Sequence, residues 1–139
     1  MNAADGMNYA PQGKAEPVVK KGEFIFSVIG LDHGHIYGMC NGLTEAGATM
    51  KYVYDPDPQK VEAFIQKFPH AIPARCEEEI LQDQETRLVA AATVPCQRGP
   101  LGMRVMDAGK DYFTDKGPFT FSLARANCAR EVKGPLSVK

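Results

Sequence analysis

Hydrophobic positions along this chain alternate between two spacings. Unbroken runs rich in β-branched, aromatic or small apolar side chains cover residues 24–29, 49–54 and 88–94, the pattern of strands buried on both faces. Between the runs the spacing changes to three and four. Ile36, Met39, Cys40 and Leu43 make one such stripe, and Val61, Phe64, Ile65 and Phe68 make the next. Each stripe is one face of an amphipathic helix. The pattern predicts strands and helices in strict alternation.

Local breakers set the boundaries. Residues 1–22, rich in Gly, Pro, Ala, Asn and Lys without periodicity, read as a flexible lead-in. Residues 23–139 form the folded domain. A strand over 24–29 leads to a helix over 35–46, which Gly47 caps. A second strand over 49–54 ends in Asp55-Pro56. Asp57-Pro58 then opens a helix as N-cap and first residue, and Pro69 closes it. A short strand over 71–74 and a brief acidic helix over 77–81 follow. Pro95 ends the strand over 88–94. The next helix covers 100–108 up to Gly109, and a strand over 112–114 runs into Gly117-Pro118. A last helix starts at Thr120 or Ser122, fades after Val132 and is closed by Gly134-Pro135. Parallel strands need a crossover between each pair, and those crossovers are right-handed. The expected fold is therefore α/β: a doubly wound, mainly parallel Rossmann-type sheet flanked by helices.

Bulk properties narrow the partners. A net charge of −1 over 139 residues offers no electrostatic footprint for nucleic acid or an anionic membrane. No apolar run approaches the ~20 residues of a membrane span, and the N-terminus lacks a basic-then-apolar secretory leader. Cys40, Cys76, Cys96 and Cys128 are scattered, with no Cys-x-x-Cys pair. They read as free thiols in a reducing compartment, with the cytoplasm as the expected location.

Candidate chemistry gathers where the first strand ends. Gly30, Leu31, Asp32, His33, Gly34 and His35 form a strand-to-helix turn. In such a turn a helix N-terminus can face the diphosphate of a dinucleotide. Gly30 fits either that role or a plain tight turn. Asp55 stands 25 residues further on, at the end of the second strand. That is near the ~20-residue offset of an acid that binds an adenosine ribose and disfavours a 2′-phosphate. An Asp-Pro turn is the bland alternative. Asp32 occupies the place of the second glycine in G-x-G-x-x-G. Like charges at ~4 Å cost about 4 kcal/mol at an effective dielectric near 20. Asp32 must therefore point away, be neutralised by His33 or His35, or leave the cofactor weakly held.

Two other motifs compete. Asp32-His33-Gly34-His35 is similar to the Asp-x-His-x-His strings of metal-dependent amidohydrolases, and neutral imidazoles can share a metal. That fold is a barrel of ~250 residues, and the only other histidine is His70. Tyr112 and Lys116 spell the Y-x-x-x-K pair of short-chain dehydrogenases. On a helix the two lie ~6 Å apart; on a strand, ~13 Å. Gly117-Pro118 leaves the strand.

From these pieces the chain resembles the cofactor-binding domain of the glucose–fructose oxidoreductase / inositol dehydrogenase (Gfo/Idh/MocA) family. The matching pieces are Val28-Ile29-Gly30-Leu31 with its histidines, Val53-Tyr54-Asp55, residues 89–95, and residues 106–116, which are similar to the family's A-G-K-x-V-x-x-E-K-P segment. The resemblance implies a nicotinamide cofactor, NAD rather than NADP, and sugars, inositols or polyols as substrates. It implies diphosphate binding at Gly30, ribose binding at Asp55, and a cleft wall at Val94 and Pro95. Lys116 would be the catalytic lysine that orients substrate and assists proton transfer. Asp32 departs from the phosphate-loop glycine, Asp115 replaces the glutamate, and Gly117 replaces the proline. The family's second α/β domain is not in the sequence. The chain is therefore expected to be truncated, with little turnover alone and a substrate only if a second domain is supplied. A non-catalytic dinucleotide-binding or partner-dependent module is the alternative, and a metal hydrolase using His33 and His35 a further one.

Overall fold

The computed structural model describes residues 16–119, over which nine elements alternate without exception. They are β1 (Ile25–Ile29), α1 (His35–Glu45), β2 (Thr49–Tyr54), α2 (Pro58–Lys67), β3 (Ile72–Pro73), α3 (Glu77–Gln82), β4 (Thr86–Ala91), α4 (Pro95–Asp107) and β5 (Asp111–Thr114). All pairings are parallel, in the order β3-β2-β1-β4-β5. This is the Rossmann-type α/β arrangement expected from the alternation. The chain winds outward from β1 to β3, then returns to lay β4 on the other side of β1. That reversal opens a crevice beyond the C-terminal ends of β1 and β4, where open α/β sheets bind ligands.

The sheet is apolar on both faces because helices cover both. On one side Phe26, Val28, Met50 and Val53 pack with Ile36, Cys40, Phe64 and Phe68. Phe64 anchors this layer, with its ring 5.6 Å from Tyr37 and 4.8 Å from Phe68. On the other, Ile29, Val89 and Ala91 meet Ile80, Leu101 and Val105. Each fully buried side chain of this size contributes about 1.5–3 kcal/mol. One buried polar residue repairs a fault in the sheet. The β1–β2 register shifts between Phe26 and Val28. There the Tyr52 N–H donates to Ser27 Oγ at 3.2 Å, and Ser27 Oγ lies 2.8 Å from Thr86 Oγ1. A hydroxyl thus substitutes for a missing ladder bond.

Helix ends follow local chemistry. Asp57 caps α2, its carboxylate accepting the Gln59 N–H at 2.9 Å. After α1 the chain turns at Gly47, φ +102°, where an added Cβ would lie 2.0 Å from the Val19 carbonyl oxygen. Val18 and Val19 donate their N–H groups to the Ala46 carbonyl, so residues at the end of the expected lead-in lie against α1.

Two boundaries differ from expectation. Strand β4 spans Thr86–Ala91 rather than 88–94. Its start is drawn back because Asp83 accepts from both the N–H and the hydroxyl of Thr86, at 2.9 and 2.7 Å. Its end comes early because Ala92 makes the last ladder bond, to the Gly30 carbonyl, and Thr93 is buried against Gly30 in the crevice loop. Helix α4 begins at Pro95, five residues before the expected Pro100. Pro95 is a favourable first residue, and Pro100 is exposed, so its missing N–H leaves no carbonyl orphaned in the core. The helix expected near Thr120 and the thiol of Cys128 lie outside the described residues. No described helix is long and apolar enough to cross a membrane.

Candidate functional site

A cleft of about 530 Å³ opens at the crevice, lined by Gly30, Asp32, Asp55, Asp57, Lys60, Thr93, Val94 and the first turns of α4. Gly30 forms its floor. The Gly30 N–H donates to the Tyr54 carbonyl at 2.9 Å and its own carbonyl accepts from Ala92 at 3.2 Å. The ladder therefore runs one residue past β1 on both sides. The chain then turns at φ +88°, and the space a side chain would fill is taken by Thr93 Cγ2, 2.1 Å from an added Cβ. Only glycine satisfies both conditions.

Asp55 ties this turn to β2. One carboxylate oxygen accepts the Leu31 N–H and the other the Asp57 N–H, both at 2.8 Å. The residue is 7 % exposed. A carboxylate has about four acceptor positions, so two remain for a ligand. Gly30 and Asp55, 25 residues apart in the chain, are brought to one site.

Asp32 lies in the same cleft and is neutralised, chiefly by Lys60 rather than by a histidine. Lys60 Nζ donates to its Oδ1 at 2.6 Å and the Val94 N–H donates to Oδ2 at 3.0 Å. The Lys60 bond, against some desolvation, holds the Asp32 carboxyl below the usual carboxylate range. Of the three fates open to Asp32, neutralisation is the one met, by Lys60 foremost and by His33 least. Asp57 caps α2 beside Asp55, which brings Lys60 in the first turn of that helix to the cleft.

The remaining candidates fall elsewhere. Leu31 packs against the α1 core. His33, Gly34 and His35 line a neighbouring open hollow with Gly38, Met39 and Asp115. There His35 Nδ1 sits 3.1 Å from Asp115 Oδ2. His33 Nε2 is buried with no hydrogen-bond partner among the described residues. Val94 lines the first cleft and serves as N-cap of α4; Pro95 follows as an exposed first helical residue outside the lining. Lys116 is exposed just past β5 and next to Asp115. Tyr112 sits on β5, not on a helix, and burial pushes its hydroxyl up to about 12. His70 belongs to a hollow at Val18, Val19 and Met50, apart from His33 and His35. Among the described residues no three of His, Cys, Asp and Glu approach as a metal site would require.

Lys60, Thr93, Cys96 and Arg104 also line the cleft without being marked by the sequence motifs. Arg104 forms a two-pronged pair with Glu77, at 2.6 and 3.1 Å. Thr93 is 5 % exposed and its hydroxyl has no partner among the described residues. The signal for Lys60 is its place in the sequence, third in a helix whose Asp-Pro cap begins two residues after Asp55. In total the lining carries the carboxylates of Asp32, Asp55, Asp57 and Glu77 against the cations Lys60 and Arg104.

No protein-family model and no curated protein matches the chain. Solved structures do. A protein of Erwinia carotovora atroseptica, classed provisionally as an oxidoreductase, is 38% identical over 79% of this chain and 33% of its own, with a TM-score of 0.75. The myo-inositol dehydrogenase of Lactobacillus casei, solved with NAD(H) and myo-inositol, is 22% identical over 78% of this chain and 32% of its own, TM-score 0.68. The WlbA dehydrogenase of Chromobacterium violaceum, solved with NADH and UDP-GlcNAcA, is 20% identical over 86% and 35%, TM-score 0.64. A further similar fold, a biliverdin reductase, holds NADP+. The chain spans about a third of the length of these proteins.

Proposed function

We propose that this chain, whose structural neighbours are Gfo/Idh/MocA-type oxidoreductases, supplies the dinucleotide-binding part of an NAD-dependent oxidoreductase. The observation that carries the reading is the joining of Gly30 and Asp55 at the switch point of a parallel sheet. Asp55 keeps acceptor positions free for ribose hydroxyls after holding Leu31 and Asp57. The buried hydroxyl of Thr93, without a partner among the described residues, gives the cleft a further polar contact. These residues fit a dinucleotide. When bound, the nicotinamide would accept or return a hydride.

The charge of the lining favours NAD over NADP. Both cations are already paired, so carboxylates are in excess where a 2′-phosphate would add negative charge. His35 and Asp115 line the neighbouring hollow beyond β5, and Lys116 follows Asp115 in the chain. Lys116 is proposed to hold the reacting hydroxyl of a sugar, inositol or polyol, a role that needs a second domain to complete the substrate wall. The scattered spacing of the four cysteines, with no Cys-x-x-Cys pair, supports a reducing compartment such as the cytoplasm.

The test is calorimetric titration of the chain with NAD and NADP, beside Asp55→Asn. Asparagine retains an oxygen for the Leu31 N–H but loses the charge. NAD should bind more tightly than NADP, and Asp55→Asn should weaken NAD by about tenfold or more, one charge-assisted bond. A folded chain that ignores NAD, or binds it equally well in the variant, would overturn the reading.

A further inference from the structure

The two donors that grip Asp32 are of the kind that grips a phosphate. One is the Lys60 ammonium, 2.6 Å from Oδ1; the other is the Val94 N–H, 3.0 Å from Oδ2. Val94 is the N-cap of α4, a thirteen-residue helix. N–H groups at a helix start have no partner within the helix and lie at its positive end. Lys60 stands in the first turn of α2, where the dipole disfavours a cation. Asp32, Asp55 and Asp57 hold its charge instead, with the Asp32 bond foremost. A side-chain ammonium and a helix-terminal N–H on opposite walls of a cleft, above a glycine floor, form a cradle for an oxyanion. In this chain the cradle is filled from within.

We infer that Asp32 is a resident substitute for a phosphate group: its carboxylate occupies the Lys60–Val94 cradle, and a dinucleotide must displace it, so Asp32 sets the affinity of the cleft. This rests on the dinucleotide reading above for its ligand, but not for its geometry. Asp32 is well placed for the role. It lies two residues after Gly30, in the turn that would approach a diphosphate, and its side chain is 23% exposed, so a ligand can reach it. Each of its oxygens has a different partner, one on each wall. Displacement therefore frees both donors together. It also removes the contact by which Asp32 links the β1–α1 turn to α2 and α4, so binding loosens one tie as it makes another.

Asp32→Asn and Asp32→Gly separate the two donors. Asparagine keeps the shape and an oxygen for Val94 but releases Lys60; glycine releases both. The unmodified chain, both Asp32 variants, Lys60→Met and Asp32→Gly/Lys60→Met are titrated with NAD and, separately, with inorganic pyrophosphate, with far-UV circular dichroism to confirm the fold. NAD affinity should rise by about tenfold in Asp32→Asn and further in Asp32→Gly. Pyrophosphate binding should appear in both single variants and vanish in the double. Lys60→Met alone should weaken NAD, because it leaves the Asp32 charge bare. Unchanged or weaker NAD binding in the Asp32 variants, with no gain for pyrophosphate, would overturn the inference while leaving the dinucleotide reading intact if the unmodified chain binds NAD. A gain for pyrophosphate in a chain that never binds NAD would uphold the cradle and sink the dinucleotide reading.

Discussion

Replacing Gly30 by alanine should be among the most damaging small changes to the chain, for two separable reasons. Its φ of +88° lies in the left-handed region, which costs an alanine roughly 1–2 kcal/mol. The added methyl would also meet Thr93 Cγ2 at 2.1 Å, and overpacking of this kind costs about 1–3 kcal/mol. Together they predict a loss of about 2–5 kcal/mol, a large share of the ~5–15 kcal/mol that holds a domain of this size. Thr93→Ser takes away the obstructing methyl and keeps the hydroxyl, at a cost of about 1 kcal/mol for the small void. If the two residues compete for the same space, the double variant should be little worse than Thr93→Ser plus the backbone strain. That means a favourable coupling of about 1–3 kcal/mol. Urea unfolding of the four proteins at one pH measures this cycle. Additive losses would refute the claim that the Thr93 methyl fills the glycine's space, and a neutral Gly30→Ala would refute the strain as well.

Two further predictions concern pH and the sheet's lower edge. Burial pushes the Cys40 thiol from 9.0 up to about 12, so the folded state holds a proton the unfolded chain releases. Its contribution is present below pH 9 and is lost as pH rises toward 12, about 2 kcal/mol of it by pH 10.5. In Cys40→Val thermal melts should show a shallower alkaline loss than in the unmodified chain, and an identical slope would contradict this. Asp83 is lowered on balance: burial opposes the carboxylate, but its bonds to Lys51 and Thr86 outweigh it. That stability is present above the unfolded value near 4 and is lost as pH falls through the lower folded one. Asp83→Ala should cost about 1–2 kcal/mol at neutral pH, since it strands the Thr86 N–H and leaves the Lys51 ammonium with Glu85 alone. It should also show a flatter acid limb in urea titrations. A variant as stable as the parent would mean that these contacts are not held in solution.

Much of the architecture is legible along the chain because its causes are local. The spacing of Ile36, Cys40 and Leu43, the Asp57-Pro58 cap and the glycine after β1 each act within a few residues, so they mark α1, α2 and the crevice turn directly. Alternation of the two hydrophobic periods then leaves a parallel, doubly wound sheet, since each crossover has one permitted hand. Boundaries fail where distant contacts compete. Thr93 is as β-branched as a strand needs, yet it leaves the ladder to pack against the Gly30 turn. Pro100 reads as a helix start, but Pro95 starts the helix, because the break falls on a face open to solvent.

The site divides in the same way. Gly30 and Asp55 stand out by residue type and spacing, so the sequence alone determined a sheet with a glycine turn facing an acid. Only the tertiary structure decided what Asp32 meets. Lys60 and Val94 lie 28 and 62 residues further along the chain, and Asp115 lies 80 residues beyond its partner His35. No local pattern encodes such meetings. They arise because parallel strands bring the starts of successive helices to one edge, and the winding of β2 and β4 around β1 sets which side chains face each other there.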